Sequence, residues 1–108
     1  IKTKMEVLKN QFTTKEECAE GVKQALKRKH RQLQYCYEKS LKDKPDTKGK
    51  FTLSFNVLDT GKTSETTLTD TEIDNPDLTK CIERRVKTWK FPKDCPTPVT
   101  QPYIFYVE

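Results

Sequence analysis

The sequence predicts an α+β domain, a small antiparallel sheet packed against two helices and braced by two disulfides. Three observations point there. From Thr14 to Lys44 no proline and only one glycine, Gly21, interrupts a helical pattern. Residues 50–57 alternate apolar and polar at a period of two, the signature of a strand with one buried face. Four cysteines, Cys18, Cys36, Cys81 and Cys95, stand in a chain of 108 residues. In a domain so small and charged they suggest two disulfides and a periplasmic or extracellular setting.

The length suits one domain and not two. Hydrophobic residues make up 32% and charged residues 34%, a thin core that calls for stabilisation beyond burial. No run approaches the roughly 20 apolar residues of a membrane span, and no signal peptide is present. The chain opens on Ile1 and reads as a fragment or a processed chain, with any anchor or export signal upstream.

Taken in order, residues 1–12 alternate loosely and read as a strand or a linker. Thr13 or Thr14 is the expected N-cap of the first helix, with Glu16 and Glu17 complementing its dipole. At 100° per residue, Ala19, Val22, Leu26, Leu33, Tyr37 and Ser40 share one face, with Cys18 and Cys36 flanking it. Lys29 and His30 interrupt that face, most simply by laying their stems over apolar surface with polar ends in water, so His30 is expected to be structural or exposed. Tyr35 lies about 160° from Tyr37 and is free to touch something else. Lys44-Pro45-Asp46 ends the helix and Gly49 closes the connection.

Phe51, Leu53, Phe55 and Val57 then face one way, and Lys50, Thr52, Ser54 and Asn56 the other. Asp59-Thr60-Gly61-Lys62 is a turn in which Gly61 is free to take positive φ. Residues 63–69 return as a polar strand. Thr63, Thr66 and Leu68 do not share one parity, so a bulge is expected. Asn75 caps the second helix and Pro76 takes its first position. Leu78, Cys81, Ile82, Val86 and Trp89 line its apolar face, and Pro92 stops it. Residues 99–107 form the last strand, where Pro102 withholds a ladder hydrogen bond and marks an edge or a bulge.

Helix geometry limits the cysteine pairings. Cys18 and Cys36 lie about 27 Å apart on one helix, whereas a disulfide needs Cα atoms within about 7 Å. Each must therefore reach Cys81 or Cys95. A zinc site is the weaker alternative, since no C-x-x-C pair exists and the chain has a single histidine. Free buried thiols are a third.

The net charge is +5, with Lys23, Lys27, Arg28, Lys29 and Arg31 forming a basic patch. Such a patch can meet nucleic acid, anionic lipid or an acidic protein. Without interleaved aromatics or a nucleic-acid motif, a solvated helix face is the simpler reading, and no nucleic-acid partner is expected. Catalysis is not expected either. Asp70, Glu72 and Asp74 sit beside a helix start as caps and solvated loop charges. His30 has no nucleophile and no orienting acid in any recognisable motif, and nothing resembles a phosphate-binding glycine loop. No catalytic residue, cofactor or metal is assigned.

From about Thr14 to its end the chain resembles the AgmX/PglI C-terminal family, a cysteine-bearing branch of TonB C-terminal-like domains. Cys36-Tyr37-Glu38, followed by Pro45 and Gly49 before a strand, resembles the family's entry. Asp59-Thr60-Gly61-Lys62 resembles its hairpin turn. Asn75-Pro76-Asp77-Leu78-x-x-Cys81, running to Trp89-Lys90-Phe91-Pro92, resembles its second helix, and Gln101-Pro102-Tyr103-Ile104-Phe105 its last strand. Together these pieces cover roughly four fifths of the chain, and their order and spacing make the pattern specific. Two features depart from the family: Cys18 and Cys95 look like additions, and Thr63 and Thr66 stand where it is more apolar.

The resemblance implies residues 13–108 as a TonB C-terminal-like domain, a pairing of Cys36 with Cys81, and with it Cys18 with Cys95. It further implies a periplasmic, non-enzymatic interaction domain at the C-terminal end of an envelope-spanning energy transducer or gliding-motility component, tethered to the inner membrane by an upstream anchor. Partners would be envelope proteins, outer-membrane or periplasmic, bound by strand addition to a sheet edge. The edge expected is residues 99–107, with Val99, Gln101, Tyr103 and Phe105 gripping the partner. Against this, one of the alternating pairs Tyr103/Phe105 and Ile104/Tyr106 must fill the core. Residues 1–12 would cover that edge or swap between molecules into a dimer. A secreted, disulfide-stabilised binding or inhibitor-like module is the alternative.

Overall fold

Two helices lie across one face of a five-stranded antiparallel sheet in this computed structural model, which describes residues 2–9, 11–12, 16–69 and 71–108. The elements run β1 (Thr3–Val7), β2 (Gln11–Phe12), α1 (Glu16–Ser40), β3 (Gly49–Val57), β4 (Thr63–Thr69), α2 (Pro76–Lys87) and β5 (Thr97–Val107). The sheet order is β1–β5–β3–β4, with β2 also pairing β5. The α+β architecture is the one the alternation and the helical periodicity predict. The expected N-cap at Thr13 or Thr14 and the acid Asp70 lie outside the described residues.

The α1 face comes from the predicted positions. Val22, Leu26, Leu33, Tyr37 and Ser40 are buried, joined by Ala25, while Ala19 is only half-buried. The helix ends at Ser40, short of Lys44-Pro45. There the Ser40 hydroxyl donates to the Tyr37 carbonyl at 2.8 Å, and the amides of Asp43 and Lys44 both return to the Ser40 carbonyl at 3.3 and 3.2 Å. The Tyr37 hydroxyl then donates to the Thr47 carbonyl at 2.7 Å, fastening the connection to the helix.

β3 alternates as its sequence does: Phe51, Leu53, Phe55 and Val57 are buried. β4 returns antiparallel, and its register slips where Ser54 faces Thr67 but Asn56 faces Ser64. Two residues, Glu65 and Thr66, thus oppose Phe55, and Glu65 takes φ 51°. This is the bulge that the mixed parity of residues 63–69 predicts. At the turn Gly61 has φ 89°, and a Cβ there would collide with the Phe91 carbonyl. The hairpin tip instead docks on the loop after α2, where the Phe91 amide donates to the Gly61 carbonyl at 2.8 Å.

Asn75 caps α2, accepting from the Leu78 amide at 3.3 Å. Its amide also donates to the Thr47 hydroxyl at 2.9 Å, so one buried side chain starts α2 and ties it to the connection between α1 and β3. Asn75→Ala is expected to cost about 2–3 kcal/mol, the sum of a lost cap and an emptied buried hydrogen bond. Asn75→Asp keeps the cap but cannot donate to Thr47, and denaturant melts should place it between the two. α2 closes before Pro92, at Thr88, whose hydroxyl and amide both donate to the Arg85 carbonyl, at 2.7 and 3.0 Å.

The core is aromatic. Tyr37 stacks on Phe105 with centroids 4.4 Å apart, and Phe51 lies 5.2 Å from Tyr103 and 5.1 Å from Phe105. Such offset and tilted pairs add to simple burial. Disulfides clamp α1 near both ends: Cys18 to Cys95 in the loop before β5, and Cys36 to Cys81 on α2. Both pairings agree with those the resemblance implies, and no thiol remains free to ligate zinc.

Candidate functional site

The last strand is not an edge. β5 pairs with the whole of β3, from Val57↔Thr97 to Gly49↔Phe105. Its other flank carries β1, from Thr3↔Val107 to Val7↔Tyr103, and β2 at Thr100 and Val99. Val99, Gln101, Tyr103 and Phe105, expected to grip a partner, are all buried. The register explains this correction: Tyr103 lies opposite Phe51 and Val99 opposite Phe55, so these side chains share the inward face of β3. Ile104 and Tyr106 point outward.

What covers β5 is a lightly anchored strand. No residue of β1 is buried, and Val7 is 44% exposed. Its ties to α1 are polar: Thr3 donates to Glu38 at 2.8 Å, and Gln34 donates to the Thr3 carbonyl at 3.1 Å. The ion pair of Lys4 with Glu108, 3.4 Å, is exposed and adds little. The pairing breaks opposite Pro102. There the Leu8 amide donates to the Pro102 carbonyl at 3.1 Å and Gln101 donates to the Leu8 carbonyl at 2.6 Å. Alternation within residues 1–12 is the signal for this strand, and of the two outcomes expected of it, covering the edge or swapping between molecules, the first is the arrangement within this chain.

The far edge of the sheet, β4, is blunted. All its residues but Leu68 are polar, and its bulge places Glu65 where the Asn56 amide donates to its carboxylate at 2.6 Å. Kinked, charged edges resist pairing with other chains.

The basic run on α1 is split by the helix. Lys23 and Lys27 line a depression of about 330 Å³ with Val7, Leu8, His30 and Gln101. Arg28 and Arg31 turn toward α2. Lys29 is half-buried with its ammonium 5.5 Å from the Phe91 ring centroid. Burial first, and the neighbouring Arg28 second, hold its pKa below the ordinary lysine value. His30 takes the structural one of its two expected roles: its Nε2 has neither solvent nor a hydrogen-bond partner, and its ring stands edge-on to Tyr103 at 5.3 Å. Burial, then Lys27, pushes its pKa down, so the imidazole is held neutral. The Tyr103 hydroxyl also lacks a partner, and burial raises its pKa far beyond the ordinary phenol range. A half-buried neutral imidazole beside a buried phenol, with no hydrogen-bond partner for either its Nε2 or the phenol hydroxyl among the described residues, is a packing arrangement.

Glu72 is occupied structurally, accepting from the Lys50 amide at 2.8 Å. Among the described residues no group of three His, Cys, Asp or Glu side chains is placed to hold a metal ion, and no helix is long and apolar enough to cross a membrane. No family model, curated protein or solved structure matches the chain.

Proposed function

We propose that this chain is a non-enzymatic protein-interaction domain whose sheet accepts a partner's β-strand along the flank of β5. The observation that carries this is the present occupant of that flank, a short antiparallel strand with no buried side chain in β1. Backbone ladder bonds supply most of what holds it, and any extended peptide can offer those. Exchange of residues 3–12 for a partner strand would take from the core the packing of half-buried Met5 and leave both helices and both disulfides in place. The same flank allows two copies to swap these residues into a homodimer.

The resemblance to AgmX/PglI and TonB C-terminal domains supports placing the domain in the periplasm, at the end of an envelope-spanning transducer or gliding-motility component anchored upstream in the inner membrane. Its partners there are envelope proteins. Disulfides fit that oxidising compartment.

Deleting residues 1–12 and adding back a peptide of that sequence tests the strand-accepting flank. The shortened domain should fold, bind the peptide and regain amide protection along β5, and a Met5→Pro peptide should fail. If the deletion unfolds the domain, hydrogen exchange on the intact chain decides. Amides of the β1–β5 ladder should open many-fold faster than those between β3 and β5. Equal rates would make β1 an integral strand and end the proposal.

A further inference from the structure

Between α1 and α2, on the helical side of the domain, lies a groove of about 410 Å³ lined by Arg28, Arg31, Gln32, Tyr35 and Arg85. Positions 28, 31, 32 and 35 form one stripe on α1, and Arg85 reaches across from α2. We infer that this groove binds a short acidic segment of a protein partner, its carboxylates held by the three guanidiniums.

Every polar side chain around the groove offers a hydrogen-bond donor. The Gln32 carbonyl oxygen is already taken by the Trp89 indole N–H at 2.8 Å, which leaves its NH₂ free to donate. No carboxylate lines the groove, and among the described residues the one ion pair is that of Lys4 with Glu108. Three exposed arginines therefore converge without an internal counter-charge, the arrangement to which a carboxylate is complementary.

The groove is also held in shape. Cys36, next to Tyr35, is bridged to Cys81, one turn before Arg85, with Cα atoms 5.8 Å apart. The Arg85 guanidinium sits over the Tyr35 ring, 5.5 Å from its centroid. This contact gives the 50% exposed Tyr35 ring a partner on the other helix and places Arg85 against the α1 stripe. Arg28 to Tyr35 spans about 10 Å along the helix, the length of about three residues of extended peptide. Acidic residues at alternate positions fit that span. A polynucleotide fits less well: its affinity comes from phosphate contacts spread along a longer track, and single-strand binders stack bases on several rings where this groove has one. The groove lies on the helices, away from the β5 flank, and stands whether or not that flank takes a strand.

The test is fluorescence anisotropy with the intact chain and a short labelled peptide of alternating aspartate and serine, at low and at physiological ionic strength. Binding should be seen at low salt and weaken with salt, and the same peptide with asparagine for aspartate should not bind. The triple variant Arg28→Glu, Arg31→Glu, Arg85→Glu should weaken binding about tenfold or more. Lys42→Glu, Lys48→Glu, Lys93→Glu changes net charge equally at exposed sites elsewhere and should weaken it less than about threefold. Should the groove triple misfold, the milder Arg28→Gln, Arg31→Gln, Arg85→Gln carries the comparison, with severalfold loss expected. Equal losses in groove and control variants would overturn the inference, because the general field would then be the binder. So would no binding of the acidic peptide, or tighter, arginine-dependent binding of a single-stranded oligonucleotide.

Discussion

Replacing Cys36 and Cys81 together by serine is expected to lower stability by about 4 kcal/mol, and the Cys18 and Cys95 pair by about as much. The bridges join residues 45 and 77 positions apart, and closing loops of that length removes much freedom from the unfolded chain. A small domain has only about 5–15 kcal/mol to lose. The chain with both bridges reduced should therefore be largely unfolded at 37 °C, while each double variant stays folded with a lower urea midpoint. Circular dichroism melts in urea with and without reductant measure all four states. A loss under about 1 kcal/mol for either pair would show that the helices hold their spacing without it.

Trp89→Ala should cost about 3–5 kcal/mol, the range for emptying a buried aromatic site. Trp89 is 2% exposed, stands edge-on to Phe55 at 5.9 Å, and spends its N–H on Gln32. It is the point where the segment after α2, the sheet and α1 meet. Trp89→Phe separates the two roles, since it keeps most of the ring and loses only the hydrogen bond, for about 1–2 kcal/mol. Urea unfolding of both variants should rank them in that order. Equal losses would put the energy in the hydrogen bond, and no loss would move Trp89 out of the core.

Local pattern carried most of the architecture. Phe51 to Val57 alternate because one sheet face is buried, and Asn75-Pro76 starts a helix because its first amides need an acceptor. Strand order is a different kind of information. The sequence offered residues 1–12 as a cover for the last strand or as an arm swapped between molecules and did not decide between them, because pairing joins segments about 100 residues apart through backbone groups common to every sequence. Tyr103 and Phe105 became core because their parity puts them on the inward face shared with β3. The basic run shows the same boundary. Composition places the charges on α1, but only the approach of α2 separates Arg28 and Arg31 from Lys23 and Lys27 and adds Arg85. Tyr35 was legible as outward-facing from its angle on the helix. The guanidinium above it, from a residue 50 positions later, was not.

The two chain ends lie side by side, with Thr3 opposite Val107 and the Glu108 amide donating to the Lys2 carbonyl at 2.9 Å. A pull that separates them would unzip β1 from β5 one rung at a time, at low force. Extension would then stop at the Cys18–Cys95 bridge, because the load passes through the covalent bond and bypasses everything between. Only about 30 residues, roughly 100 Å of chain, can be drawn out before that stop. Reaching that stop takes β5 out of the sheet, and Tyr103 and Phe105 out of the aromatic core, while the chain between Cys18 and Cys95 carries no load. Mechanically the domain is a tether with a soft release and a hard limit.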